Sequence, residues 1–174
     1  MPIPWPPRTD RLQLVDVEAA HIDLFVALDS DPEVMRFISG GEPNSRERYE
    51  QALMPRMTAY RDEPYGYLTA FEHGHFVGWF HLRPSVADPA ILELGYRLRR
   101  PAWGRGLATE GSQALVRYAF EQLEMPAVDA CADPRNEASI RVMIKCGMRR
   151  VGTFVHPLAP IEVVRYLVER EPPR

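Results

Sequence analysis

Cysteine is nearly missing from this 174-residue chain: only Cys131 and Cys146 are present. Two are too few for a disulfide framework, and their spacing matches no zinc motif. Lysine is rarer still, since 20 of the 21 basic residues are arginine and Lys145 is the exception. The 17 prolines are about twice the usual ~5% share. Arginine and proline share GC-rich codons, so both biases read as genome composition and say little about function. No apolar run approaches the ~20 residues that a membrane-spanning helix needs. A basic excess is also lacking: the net charge is −3, which gives no support to a nucleic-acid-binding surface. The opening MPIPWPPR lacks the charged and apolar regions of a secretory signal. These absences predict a cytoplasmic protein with no membrane or nucleic-acid partner and no metal. Length and a 45% hydrophobic content fit a single domain, residues 8–171, with residues 1–7 and 172–174 as proline-rich tails.

What is present is a regular alternation of elements. RLQLVDV (11–17) alternates like a strand, and 18–31 carries Ile22, Phe25, Val26 and Leu28 at helical spacing. Asp31 and Pro32 are an N-cap and a first-turn proline for a short helix. Residues 45–60 read as a helix that Pro55 must kink or end. Strands follow at 65–72 and 75–83, joined by a turn at Gly74, and at 90–98. On the second of these, Val77, Trp79 and His81 would share one face, with Phe80 and Leu82 on the other. A helix over 107–123, a strand over 127–132 and a helix from the Asn136 cap to Gly147 come next. Strands at 148–155 and 161–169 close the chain. The order predicts an α/β fold with a mixed, mostly antiparallel central sheet flanked by helices.

The junction GYRLRRPAWGRGLATEG, residues 95–111, is the place where chemistry is expected. Gly104 and Gly106 let the chain turn tightly and let a ligand approach the backbone. The first helical turn beyond them points free N–H groups at the same spot, which suits a phosphate or pyrophosphate. Arg105 would add a charge, whereas Glu110 would oppose an anion unless turned away. A P-loop needs GxxxxGK[ST], and a dinucleotide fingerprint needs a third small residue where Thr109 stands. Neither fits. A merely structural tight turn explains the glycines equally well.

Three segments together resemble the GNAT superfamily of acyl-CoA-dependent N-acetyltransferases, and within it the RimJ/RimL-type branch. They are RLQLVDVEAAHIDLFVALDSDPEVMRFI, ELGYRLRRPAWGRGLATEGSQALVRYAF and NEASIRVMIKCGMRRVGTF, in that order along nearly the whole chain. WGRGLA, 103–108, stands where the superfamily pattern is Q/R-x-x-G-x-G/A, with Trp103 in the Q/R place; an aromatic-Gly is frequent there in this branch. The resemblance implies that acetyl-CoA is the co-substrate. Its pyrophosphate would meet the N–H groups of Gly104, Arg105, Gly106, Ala108 and Thr109, near Trp103. Its pantetheine arm would lie along the strand that holds Tyr96 and Leu98, and Asn136 would contact it. The other partner would be an amine, either a protein N-terminus or a small molecule such as a polyamine or an aminoglycoside-like compound. A homodimer is compatible with the resemblance.

Acetyl transfer to an amine needs a proton acceptor for the amine and a donor for the departing thiolate. Glu93 is the candidate base: it interrupts an apolar strand, and partial burial would raise its pKa. An ordinary outward-facing strand residue would look the same. Ser139 is the candidate donor, although Asn136 and Ser139 also read as a helix cap alone. Cys146 reads as helix packing. Trp79 is an acceptor-pocket floor or plain core, with His81 an auxiliary base. Residues 29–65 would form an acceptor lid, where Glu42, Asp62 and Glu63 could draw in a cation. Two rivals remain at this point: a non-catalytic acyl-CoA-binding module and a dinucleotide-dependent oxidoreductase.

Overall fold

Seven strands form one sheet in the order β1-β2-β3-β4-β5-β7-β6 in the computed structural model, which describes residues 4–158 and 161–171. The strands are β1 Leu12–Asp16, β2 Gly66–Glu72, β3 His75–Pro84, β4 Leu92–Leu98, β5 Ala127–Ala132, β6 Arg149–Val155 and β7 Glu162–Glu169. The helices are α1 Ile22–Asp29, α2 Pro32–Met35, α3 Arg46–Arg48, α4 Met54–Thr58, α5 Leu107–Glu121 and α6 Glu137–Lys145. Every neighbouring strand pair is antiparallel except β4 and β5. The predicted mixed, mostly antiparallel α/β architecture is therefore what the chain adopts.

Local chemistry explains most boundaries. His73 (φ 49°) and Gly74 (φ 77°) both turn left-handed, which matches the twist of a two-residue hairpin between β2 and β3. Gly147 (φ 81°) ends α6, with Gly147 N–H donating to Ile144 O (2.9 Å) and Met148 N–H to Met143 O (3.1 Å), the paired bonds of a glycine C-cap. Pro55 neither ends nor sharply breaks its helix. The chain widens into a π-type turn over Tyr49–Leu53, between α3 and α4, which accommodates the missing proline N–H.

Two corrections concern packing. Val77 does not share a face with Trp79. The β2–β3 register steps from Ala70↔Gly78 to Phe71↔Phe76, so Val77 is an extra, bulged residue and the alternation changes phase there. It joins Phe80 and Leu82 in the core beneath α5, while Phe76 turns to the other side. The predicted N-terminal tail is also shorter than expected. Residues 1–3 and 172–174 lie outside the described residues, but Pro7 is buried and Trp5 packs on Tyr118 with ring centroids 5.2 Å apart.

The sheet has a core on each face. Under α5, Phe80, Leu82, Leu94, Leu107 and Leu115 pack together. Gly111 brings α5 so close that a Cβ there would sit 2.4 Å from the Phe80 ring. A mid-helix glycine costs about 1 kcal/mol in propensity, and the close contact of helix with sheet outweighs it. On the other face Val17, Phe25, Leu28, Met54 and Tyr67 pack with α1–α4. No helix among the described residues is long and apolar enough to cross a membrane.

Candidate active site

β4 and β5 stay together for only two register pairs, Leu92↔Val128 and Glu93↔Asp129. Beyond Glu93 the strands part, and the β5-facing edge of β4 from 94 to 98 has no strand partner among the described residues. Beside this opening lies a cavity of about 420 Å³. Nine of the residues singled out from the sequence line it: Tyr96, Leu98, Trp103, Gly104, Gly106, Ala108, Thr109, Asn136 and Ser139. Gly104 and Gly106 are left-handed (φ 70° and 79°), and a Cβ on Gly104 would meet nothing within 4 Å. At Gly104 the loop is thus bare backbone facing open space, whereas a Cβ on Gly106 would sit 3.4 Å from Arg11 Nη2. Among the described residues, no acceptor is assigned to the N–H groups of 104–109, and Glu110 N–H is the first to bond back, to Gly106 O at 3.0 Å. Bare, unpaired N–H groups at the start of a 15-residue helix fit the pyrophosphate of a CoA ester.

Side chains around this loop settle two expectations. Arg105 adds no free charge to the cavity, because its guanidinium makes a two-pronged pair with Glu72 at 2.7 and 2.9 Å. Glu110 is turned away and neutralised: Arg11 donates from its backbone N–H (2.7 Å) and its Nε (2.6 Å) to that carboxylate. Trp103 is 46% exposed, yet its Nε1–H donates to Leu98 O at 2.9 Å, tying the loop to the end of β4. Asn136 caps α6, its Oδ1 accepting from Ser139 N–H at 3.2 Å. Tyr96 Oη lies 3.2 Å from Ser139 Oγ, and burial raises the Tyr96 pKa, so the pair is two neutral hydroxyls at the cavity wall.

The sequence reading missed other wall residues. Arg36, Phe37 and Ile38 reach the cavity from just past α2, and Lys145 reaches it from the end of α6. The single lysine, distant in sequence from the glycine loop, shares its cavity and has no ion pair among the described residues. An apolar pair just past a short helix and a lone cation at a helix end were the available signals.

Glu93 is outside this cavity, on the opposite face of β4. It is 5% exposed and sits among charged and aromatic groups. Arg83 Nη2 donates to its Oε1 at 2.7 Å, and His81 Nε2 lies 3.3 Å from the same oxygen. The expected rise in the Glu93 pKa does not occur. Burial pushes it up, but the adjoining His81 and Arg83 outweigh burial and hold it below the ordinary glutamate value. Burial pushes His81 down to about 4, so its ring is neutral at pH 7. Gly95 makes room for that ring: a Cβ there would lie 2.4 Å from His81 Cε1. Trp79 stacks on His81 (5.8 Å), and Arg97 lies 5.0 Å over the Trp79 ring. Arg97 Nη1 then donates to Asp29 Oδ1 at 2.6 Å, and Tyr49 and Asn44 bond the other Asp29 oxygen at 2.6 and 2.7 Å. Fully buried Asp29 is the hub that fastens α1 to β4, and nothing in its helical pattern marked it. Seven buried side-chain atoms lack a partner among the described residues; five of them belong to Trp79, His81, Arg83 and Arg97 on this face. Such concentration of unpaired polar atoms is atypical of a plain core. Cys146 is buried as expected, its thiol pushed up by burial to about 11.

Comparison with known proteins agrees with this geometry. A family profile described as "Acetyltransferase (GNAT) domain" matches residues 11–149. The FsC-acetyl coenzyme A-N(2)-transacetylase of Aspergillus fumigatus is 36% identical, the match covering 94% of this chain and 75% of that protein. Among solved structures, a GNAT-family acetyltransferase from Bacillus anthracis superposes with TM-score 0.77 at 24% identity, over 93% of this chain and 96% of that one. RimL, a ribosomal L7/L12 alpha-N-protein acetyltransferase in complex with coenzyme A, does so with TM-score 0.76 at 14% identity, over 94% and 97%. The chain belongs to the GNAT acetyltransferase family: it is an acetyl-CoA-dependent N-acetyltransferase.

Proposed function

We propose that residues 8–171, with Trp5 and Pro7 packed onto them, form one cytoplasmic domain of the RimJ/RimL-type branch that binds acetyl-CoA in the α5 cavity and acetylates a primary amine presented on the opposite face of β4. The observation that carries this is the parting of β4 from β5 after Glu93↔Asp129, beside a cavity rimmed by unpaired N–H groups. The opening joins the two faces at Glu93. In this reading the N–H groups from Gly104 to Thr109, with Lys145 nearby, hold the phosphates. The free edge of β4 at Tyr96 and Leu98, together with Asn136, orients the arm. Acetyl-CoA, when bound, supplies the acetyl thioester. Glu93 is ionised at neutral pH, and Oε1 is occupied by Arg83. Its Oε2 receives the ammonium of the acceptor and then its proton. Tyr96 Oη and Ser139 Oγ deliver a proton to the departing sulfur.

The acceptor we favour is a small molecule acetylated at one nitrogen; the fungal relative's name likewise specifies a single position, N(2). The three buried carboxylates on that face each already meet an arginine: Asp29 with Arg97, Glu93 with Arg83, and Asp129 with Arg165. A polycationic amine would find no spare buried carboxylate there, only exposed ones such as Glu42, Asp62 and Glu63 of the 29–65 segment.

The test is thermal unfolding with acetyl-CoA, with NAD and ADP as controls, followed by thiol release with a panel of amines. Acetyl-CoA at ~100 times its Kd adds roughly 2.7 kcal/mol, which raises Tm by about 5–11 °C for a chain of this size. A shift matched by ADP alone would reduce the loop to a generic nucleotide site. Binding without thiol release from any amine would instead support an acyl-CoA-binding module.

A further inference from the structure

Glu93 does not stand alone at the point where the sheet opens. Its register partner on β5 is Asp129, and paired residues on neighbouring strands point to the same face, with the backbones about 4.8 Å apart. Asp129 is 1% exposed. Each of the two carboxylates has one oxygen clamped and one left over. Asp129 Oδ2 accepts from Ser85 Oγ at 2.8 Å and Arg165 Nε at 2.7 Å. Ser85 Oγ itself takes the N–H groups of Ala87 (3.1 Å) and Asp88 (3.3 Å), so its own proton is committed to Asp129. Asp129 Oδ1 is buried without a partner, and Glu93 Oε2 accepts no hydrogen bond among the described residues.

We propose that Asp129 is the proton store of this enzyme, receiving through Glu93 the proton that the acceptor amine must lose and passing it on to solvent. The assignment rests on the acetyl transfer proposed above. For each turnover the ammonium gives one proton to Glu93 Oε2, and that proton moves to Asp129 Oδ1 directly or through one water. The neutral amine then forms the C–N bond as the C–S bond breaks, and its second proton ends on the sulfur. An ammonium and a thioester thus become an amide, a thiol and one released proton. The groups facing Asp129 are Glu93 from β4, Arg165 from β7, Ser85 from the loop after β3 and Cys131 on its own strand. Arg83 and His156 lie beyond Glu93. Burial raises the Asp129 pKa, and the charge of Glu93 adds to this, against the bonds from Ser85 and Arg165. Two neighbouring carboxylates are thereby driven apart, which is how paired acids divide their roles.

The test joins a titration of the ligand-free protein to kinetics. Infrared difference spectra of wild type between pH 3 and 8 are expected to show a buried carboxylic acid that ionises above the ordinary aspartate value of about 3.9. That band should be missing in Asp129→Asn. Asp129→Asn should lower kcat on the order of 10²-fold below the pKa of the amine, with a deficit that shrinks as the amine becomes neutral and an unchanged KM for acetyl-CoA. Ser85→Ala keeps the carboxylate but removes a donor to it, so the acid limb of kcat should move to higher pH with its plateau intact; this covers a failure of Asp129→Asn to fold. An infrared titration identical in wild type and Asp129→Asn, or an acid limb that neither variant moves, overturns the assignment. Wild type that is not stabilised by acetyl-CoA would fail earlier, at the function itself.

Discussion

The two faces of β4 solve opposite problems. Toward α5, the strand presents Leu92, Leu94 and Leu98 to an apolar core, and the polar work is left to bare backbone at Gly104 and Gly106. Toward α1–α4, the same strand presents buried Glu93 and largely covered Arg97, both paired. A site made of backbone can bind an anion without placing a charge in the interior. A site made of buried charges is costly to assemble, because each ion loses its hydration and regains it only through its partner. The first face should therefore govern ligand affinity, and the second should govern stability and pH dependence.

The largest break in this comparison is expected from Asp29→Ala. It strands the Arg97 guanidinium, the Tyr49 hydroxyl and the Asn44 amide without their common partner. Removing one member of a buried pair costs about 3–5 kcal/mol, which urea unfolding measures directly. The Tm increment from acetyl-CoA should shrink without vanishing in whatever protein folds, since Arg97 also lines the cavity while the N–H groups of the glycine loop stay in place. A loss below about 1 kcal/mol would mean that Arg97 finds water in place of Asp29.

Glu93→Gln comes next, with kcat lowered on the order of 10²-fold and acetyl-CoA binding kept. Its stability effect has a definite sign. The folded pKa of Glu93 is depressed, so the carboxylate stabilises the fold above its unfolded pKa of about 4.3. That contribution fades as pH falls through the lower folded value. The stability gap between wild type and variant should be full at pH 7 and closed in strong acid. A gap that does not change with pH would reduce Glu93 to a packing role.

Gly106→Val works on the other face. A β-branched residue at φ 79° costs roughly 1–2 kcal/mol of backbone strain and presses on Arg11 Nη2, 3.4 Å from the added Cβ, so the loop must shift and its N–H groups with it. The acetyl-CoA-induced rise in Tm should shrink to a fraction of the wild-type value, while the pH profile of kcat keeps its shape. An altered profile would show that the two faces are not separable.

Where periodicity and cap chemistry speak, the sequence was a sufficient guide. The Asn136 cap, the Gly147 stop, the Gly74 hairpin and the glycine loop are local features, and each was legible because a handful of neighbouring residues determines it. What escaped depends on partners far along the chain. Arg105 is drawn off by Glu72, 33 residues away, and Glu110 is silenced by Arg11, 99 residues away. Asp29 read as an ordinary residue near the end of a helix until Arg97 arrived from β4. Glu93 was singled out from its strand, yet its pKa direction was wrong, because burial was foreseen and the contacts with His81 and Arg83 on β3 were not. Val77 was misplaced by a single bulged residue, which no alternation rule anticipates.

The smallest effect is the sharpest test of how the two faces communicate. Trp103 is the residue that departs from the superfamily pattern, and its one side-chain hydrogen bond among the described residues, to Leu98 O at 2.9 Å, ties the glycine loop to the free end of β4. Trp103→Phe keeps an aromatic ring and deletes only the indole donor. A hydrogen bond of this kind contributes about 0.5–1.5 kcal/mol net, and partial exposure puts this one at the low end. The fold should therefore lose only a degree or two of Tm, and a binding isotherm should show acetyl-CoA weakened a few-fold. If affinity falls with kcat unchanged, the tether only positions the phosphate loop. If kcat falls as well, the tether also sets the edge of β4 along which the thioester must lie, and the backbone face reaches the chemistry that the charged face performs.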